Sequence, residues 1–199
     1  SRVPSWPWQP RRRRSDAGRC AFLWGGQTRR VMRTLILMRH AKAVRPHEAD
    51  SDKARGLTGR GRRDSASAGA AIEDAGLKPT LALVSTSQRT RETAEFGLQN
   101  FALETQFDEA LYHAAPESIW DAFNASDAES VVVIGHNPGM GELVSKLVHQ
   151  AHDGSKLARE FGGHFPTAAF AAFEIKGDLM RAAGPRLLAA WKPQRERDD

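Results

Sequence analysis

Three short, almost purely apolar runs constrain this chain more than any other feature. They are Thr34-Leu35-Ile36-Leu37, Leu81-Ala82-Leu83-Val84 and Val131-Val132-Val133-Ile134. Runs of this length without polar alternation are strands covered on both faces, which is the habit of a parallel sheet between two layers of helices. The intervening sequence supplies the helices. Thr58–Gly76 is alanine-rich, with Thr58 as N-cap and Gly76 as the stop before Pro79. Arg89–Leu98 is a second helix, and Pro116–Asn124 a third with Pro116 near its first position. A fourth helix runs from Pro138 to about Gln150, with Asn137 as its N-cap. Thr105–Asp108 reads as a short edge strand. The last part is antiparallel in character, with strands at Ala168–Ile175 and Arg186–Lys192. The expected architecture is α/β: a three-layer α/β/α sandwich with a mostly parallel central sheet.

Each apolar run ends in residues that carry chemistry. The first gives Met38-Arg39-His40-Ala41, and the second Ser85-Thr86-Ser87-Gln88-Arg89-Thr90-Arg91-Glu92-Thr93-Ala94. The third gives Gly135-His136-Asn137-Pro138-Gly139. The carboxyl ends of parallel strands are where open α/β sheets bind ligands. A single Arg-His pair after a strand is common on protein surfaces. Three strand ends that together deliver two histidines and at least two arginines are not.

That set suits phosphoryl chemistry. A guanidinium offers a planar fork of donors matched to phosphate oxygens, and it stays charged. A neutral histidine can attack phosphorus and split one displacement into two. A second, protonated histidine can donate to the phosphoryl oxygens as charge builds. The constellation calls for no metal and no other cofactor.

These segments resemble the signature of the histidine phosphatase superfamily, with its phosphoglycerate mutase-like fold. The carriers are Arg39-His40-Ala41, Ser85 through Ala94, and Gly135-His136-Asn137-Pro138. Supporting residues are Lys42-Ala43, Asp52, Arg55-Gly56-Leu57-Thr58, Gly61 and Phe165-Pro166-Thr167. The form is similar to the short SixA-like phosphohistidine phosphatases, and the likeness runs from about Met32 to Pro193. The resemblance implies that His40 is the nucleophile, that Arg39 and Arg89 hold the phosphoryl group, and that His136 is the second pocket histidine. The family pattern sets the arginine four residues before Thr93, which selects Arg89. Arg91, two residues on, then belongs to a solvated helix face.

Other residues stay open. Glu109, after the edge strand, is either an acid that protonates the leaving group or an ordinary loop glutamate. Arg55 either touches substrate at the pocket edge or pairs with Asp52. His113 follows Leu111-Tyr112 at a turn and is placed at the pocket mouth. Lys42 and Lys53 either widen a positive rim or are simply solvated. His47, His149, His152 and His164 read as surface or locally bonded, and Gln150–Gly163 as a loop near the site.

The net charge of +5 in 199 residues invites a nucleic-acid reading, but its position argues otherwise. Residues 1–31 hold eight arginines and one acid; the rest carries 21 basic and 23 acidic residues. The basicity belongs to a leader without helical or strand period. Leader residues 1–31 read as an extension before a natural start at Met32, or as a basic segment for nucleic acid or an acidic membrane. The domain is expected at 32–193, with a polar tail at 194–199. Cys20 is the only cysteine, so no disulfide can form within the domain, and no segment reaches the length of a membrane span. The expected location is the cytoplasm. The expected partner is a phosphorylated protein or a small phosphate ester, with no nucleic acid bound by the domain. The first reading is a protein phosphohistidine phosphatase; the alternatives are a small-molecule phosphomonoesterase and a phosphate-binding module without catalysis.

Overall fold

A computed structural model describes residues 32–151, 164–176 and 184–194 of the chain. The leader 1–31, most of the loop expected at Gln150–Gly163 (with His152) and the tail beyond Gln194 lie outside the described residues. Six strands form one sheet in the order β3-β2-β4-β1-β5-β6. They are β1 Met32–Arg39, β2 Leu81–Ser85, β3 Glu104–Asp108, β4 Ser130–Gly135, β5 Phe170–Lys176 and β6 Arg186–Trp191. The helices are α1 Gly59–Asp74, α2 Gln88–Gly97, α3 Pro116–Ala125 and α4 Gly139–Gln150. The first four strands of the sheet order are mutually parallel; β5 runs antiparallel to β1, and β6 antiparallel to β5.

Strand periodicity divides each apolar run between two cores. Leu35, Leu37, Leu81, Leu83, Val131 and Val133 face Ile119 and Phe123 of α3 and Met140, Leu143, Val144 and Leu147 of α4. Ile36, Met38, Ala82, Val84, Val132 and Ile134 face Ala68 and Ile72 of α1 and Ala94 of α2. Each buried aliphatic side chain contributes about 1.5–3 kcal/mol by leaving water. The cost of slipping β1 by one residue is therefore high, because the slip would exchange every side chain between the cores. The register Met38↔Ile134 and Arg39↔Gly135 is fixed in this way. It brings the ends of β1 and β4 level, and with them His40 and His136.

Caps set the helix ends. Thr58 Oγ1 accepts from the Gly61 N–H at 3.0 Å, as its sequence position suggested. α1 stops at Asp74 rather than Gly76. Gly76 takes φ 70 just beyond the end, and the N–H groups of Gly76 and Leu77 return to the Glu73 and Ile72 carbonyls. Two expected boundaries are corrected. The N-cap of α4 is Pro138, not Asn137, because the Asn137 amide instead donates to the Phe165 carbonyl at 3.0 Å. β5 begins at Phe170 rather than Ala168, because Ala168 has φ 60 and gives its N–H to the Arg39 and His40 carbonyls. Among the described residues no helix is long and apolar enough to cross a membrane.

Candidate active site

The carboxyl ends of β1, β2 and β4 open into a pocket of about 280 Å³. Arg39, His40, Asp52, Arg55, Arg89, His113 and His136 line it, with Lys42, Ala43, Asn137 and Thr167. The turn after β1 is tied down from two sides. The His40 N–H donates to the Gly135 carbonyl at 3.1 Å, and the Ala41 N–H donates to Thr93 Oγ1 at 3.0 Å. Thr93 Oγ1 in turn donates to the Arg89 carbonyl at 2.6 Å. One threonine of α2 thus couples the histidine turn to the helix that carries the arginine.

The tautomer of His40 follows from one bond. His40 Nδ1 lies 2.8 Å from the Ala41 carbonyl, which can only accept, so Nδ1 carries the proton. The lone pair is left on Nε2. Burial first, then the charges of Arg89, Arg39 and Arg55, push His40 down to about 3. His136 is likewise pushed down to about 3, first by burial and then by His40, Arg89 and His113. In this pocket both imidazoles are neutral at neutral pH. The protonated second histidine expected from the sequence is not the form that the surroundings of the pocket favour. His136 Nε2 lies 3.0 Å from Ser85 Oγ, and the Arg89 Nη2 group donates to its Nδ1 at 3.4 Å. The two imidazole rings stand 5.1 Å apart.

Asp52 organises the mouth. Its Oδ2 accepts from Arg89 Nη2 at 2.9 Å and from the Tyr112 hydroxyl at 2.7 Å. Its Oδ1 accepts from Arg55 Nη1 at 2.9 Å, and its carbonyl accepts from Arg89 Nη1. These bonds, Tyr112's foremost, hold the carboxyl well below the usual carboxylate range. Asp52 therefore stays anionic and fixes Arg89, which is itself buried.

The structure sorts the candidates that the sequence left open. Arg89 enters the pocket, whereas Arg91 donates to the Thr86 carbonyl and lies 4.2 Å over the Phe107 ring, outside it. Arg55 lines the pocket and also pairs with Asp52. His113 stands at the mouth. Glu109 is not among the lining residues. It binds Lys53 and Thr86 on the exposed side of the rim, and Lys53 first holds its carboxyl below the ordinary range. Lys42 lines the pocket. His149 is bonded within its own helix, to the Ser145 carbonyl, and His47 and His164 are exposed. Sequence reasoning missed Tyr112 and the organising role of Asp52. The spacing of Asp52 and Arg55 signalled only a local pair.

Comparison with known proteins places this geometry. Residues 35–116 match the model of the histidine phosphatase superfamily (branch 1). An uncharacterized chloroplastic protein of Arabidopsis thaliana is 28% identical over 136 residues, covering 59% of this chain and 60% of that protein. The chain thus spans about 60% of the length of that curated relative. Among solved structures, the candidate phosphohistidine phosphatase SixA of Nakamurella multipartitia is 28% identical, with a TM-score of 0.67 over 81% of this chain and 96% of that one. Its Agrobacterium tumefaciens counterpart has a TM-score of 0.69 at 24% identity, over 81% and 98% of the two chains. A protein histidine phosphatase SixA complexed with tungstate shares the fold, with a TM-score of 0.61 at 21% identity over 80% and 96%. The matched segment carries the β1 and α2 motifs. Over residues 35–116 the chain is similar to the histidine phosphatase superfamily (branch 1), and its fold is that of the solved SixA-type structures.

Proposed function

We propose that this chain is a phosphatase that moves a phosphoryl group first to His40 Nε2 and then to water, with phosphohistidine in a protein as its foremost substrate. The observation that carries the reading is the His40 tautomer: Nδ1–H is spent on the Ala41 carbonyl, so a neutral Nε2 lone pair is ready among arginines. In the first step Nε2 bonds to phosphorus and the bond to the leaving group breaks. Arg39 and Arg89 neutralise the equatorial oxygens. His136 is neutral in the pocket as described, and the dianion brought in beside it supplies the negative charge that favours its imidazolium. In the second step a water oxygen bonds to phosphorus, and the N–P electron pair returns to His40. The likeness to SixA-type phosphohistidine phosphatases supports the substrate choice.

Phosphomonoester hydrolysis is the second reading. It is favoured by the His113 imidazole at the mouth, since an oxygen leaving group needs a proton donor more than an imidazole does. The test is a radiolabelled phosphohistidine protein offered to the full chain and to His40→Ala. The intact chain releases phosphate and is trapped with an acid-labile label. His40→Ala loses several orders of magnitude in turnover, because groups that act as one unit fail together. Phosphate binding without label or turnover in the intact chain would leave only the binding-module reading.

A further inference from the structure

The pocket contains a nucleophile and its anion-binding groups, but a phosphate ester also needs a proton for its departing oxygen. Glu109 is on the outside of the rim, engaged by Lys53 and Thr86. Asp52 is held as an anion by Tyr112, Arg55 and Arg89. The Tyr112 hydroxyl already donates its hydrogen bond to Asp52, and burial raises it above its ordinary range. His136 directs Nε2 at Ser85 and Nδ1 at Arg89. His113 remains, and it is held with unusual care.

Its backbone is in the left-handed region, at φ 52. A non-glycine residue keeps that conformation only where its surroundings insist on it, and such residues gather at functional sites. Here the ring stacks on His136, with centroids 4.8 Å apart and planes 26° from parallel. The Tyr112 ring meets its edge at 4.5 Å. His113 Nε2 lies 3.5 Å from Asp52 Oδ2, the carboxylate that would balance an imidazolium. The charged and titratable groups about it are Asp52 from the loop before α1, His136 after β4, Tyr112 beside it, and Arg89 and Arg55 through their bonds to Asp52. His40 is half-buried in the pocket wall, whereas the His113 side chain is 51% exposed at its mouth. An in-line displacement from His40 sends the leaving group away from that wall, towards the mouth.

We infer that His113 is the general acid of this site and that it extends the phosphatase to phosphate esters of poorly departing alcohols. The inference rests on the phosphatase reading above. As His40 Nε2 bonds to phosphorus, the P–O bond to the alcohol breaks and the departing oxygen takes the proton of the His113 imidazolium. Neutral His113 then accepts a proton from the incoming water. The water oxygen bonds to phosphorus, the P–N bond breaks, and its electron pair returns to His40. Phosphate leaves with His113 protonated again. Imidazole is suited to both halves because its proton changes hands near neutral pH.

The test compares the full chain with His113→Asn, since asparagine tolerates the left-handed backbone better than most residues. The substrates are phosphoserine, whose alkoxide needs a proton, and p-nitrophenyl phosphate, whose phenolate does not. Loss of a general acid lowers kcat on phosphoserine by about 10²-fold or more and on p-nitrophenyl phosphate by less than about tenfold. Exogenous imidazole restores part of the phosphoserine rate in the variant, which a merely structural loss would not allow. Where His113→Asn lowers the melting temperature, His113→Gln provides the same comparison. Equal losses on both substrates, or no loss in a folded variant, overturn the acid role. An intact chain that hydrolyses neither substrate, nor phosphohistidine, overturns the phosphatase reading and this inference with it.

Discussion

Arg89 and Arg91 stand two residues apart on α2, and a helix turns such neighbours to different sides. Arg89 is buried against Asp52 and His136, whereas Arg91 is spread over Phe107 in solvent. Arg89→Ala should weaken vanadate or phosphate binding by about 1.5–3 kcal/mol, the scale of a lost charged contact, and Arg91→Ala should leave it nearly unchanged. Titration calorimetry on the two variants decides this, and a larger effect at position 91 would reverse the assignment. The paired imidazoles make a separate prediction about pH. Each protonates at about 6.5 when unfolded but at about 3 in the pocket. Between those values the unfolded chain binds more protons, so stability falls as the pH falls through that window. Asp52 acts in the same sense lower down: its depressed carboxyl stabilises above the ordinary carboxylate range and less below it. Melting temperatures should therefore drop as the pH falls from 6.5, and His136→Gln should flatten the slope. An unaltered slope in that variant would mean that His136 does not titrate as the pocket dictates. At this scale the sequence exposed the residues that strands deliver, because Arg39, His40 and His136 sit next to apolar runs. It did not expose Tyr112, whose meeting with Asp52 depends on two loops folding over the same mouth. Nor could Glu109's position after β3 say on which side of the rim its side chain would fall.

Helices and strands were legible where period and cap agree. The runs at 34–37, 81–84 and 131–134 became the centre of the sheet, buried except for Thr34, and Thr58 capped α1 as its spacing implied. The misplaced boundaries have one cause: a group expected to serve its own element is taken by a distant one. Asn137 turns to Phe165, and Ala168 closes over the β1 end. The packing of α1 on α2 was not legible at all. Gly69 and Gly97 meet where the two helices approach, and a Cβ at Gly69 would overlap the Gly97 carbonyl. Helix propensity alone favours alanine over glycine by about 1 kcal/mol. We expect Gly69→Ala to destabilise the protein by about 1–3 kcal/mol nonetheless, since the close approach leaves no room for the added methyl. Gly76→Ala is the control: nothing lies within 4 Å of its Cβ position, and only the left-handed backbone at φ 70 opposes the change. Denaturant unfolding of both variants checks the argument, and a stabilised Gly69→Ala would show that the helices part at little cost.

At the scale of the whole molecule, charge is distributed against its apparent trend. The chain is basic, yet the excess lies in residues 1–31, and the remaining 168 residues carry two more acids than bases. Within that nearly balanced domain the pocket is cationic: Arg39, Lys42, Arg55 and Arg89 line it, with Asp52 as the opposing carboxylate. The apolar residues of both cores hold the strand ends that carry this charge, so it is in place before substrate arrives. A phosphoryl dianion meeting fixed guanidinium groups pays little reorganisation, which is the condition under which electrostatic catalysis is strongest. A divalent ion placed among these groups would face the same positive field that the substrate answers. Among the described residues no group of three or more histidines, cysteines or carboxylates is arranged to hold a metal ion. We therefore propose that turnover is independent of metal. Dialysis of the full chain against EDTA should leave its phosphatase rate unchanged, and added magnesium or zinc should not raise it. The control is an Arg39→Ala variant, in which the pocket loses one of its built-in cations and the rate should fall whatever metal is present. Activity lost to the chelator and restored by a divalent ion would mean that the arginines alone do not neutralise the transferring group.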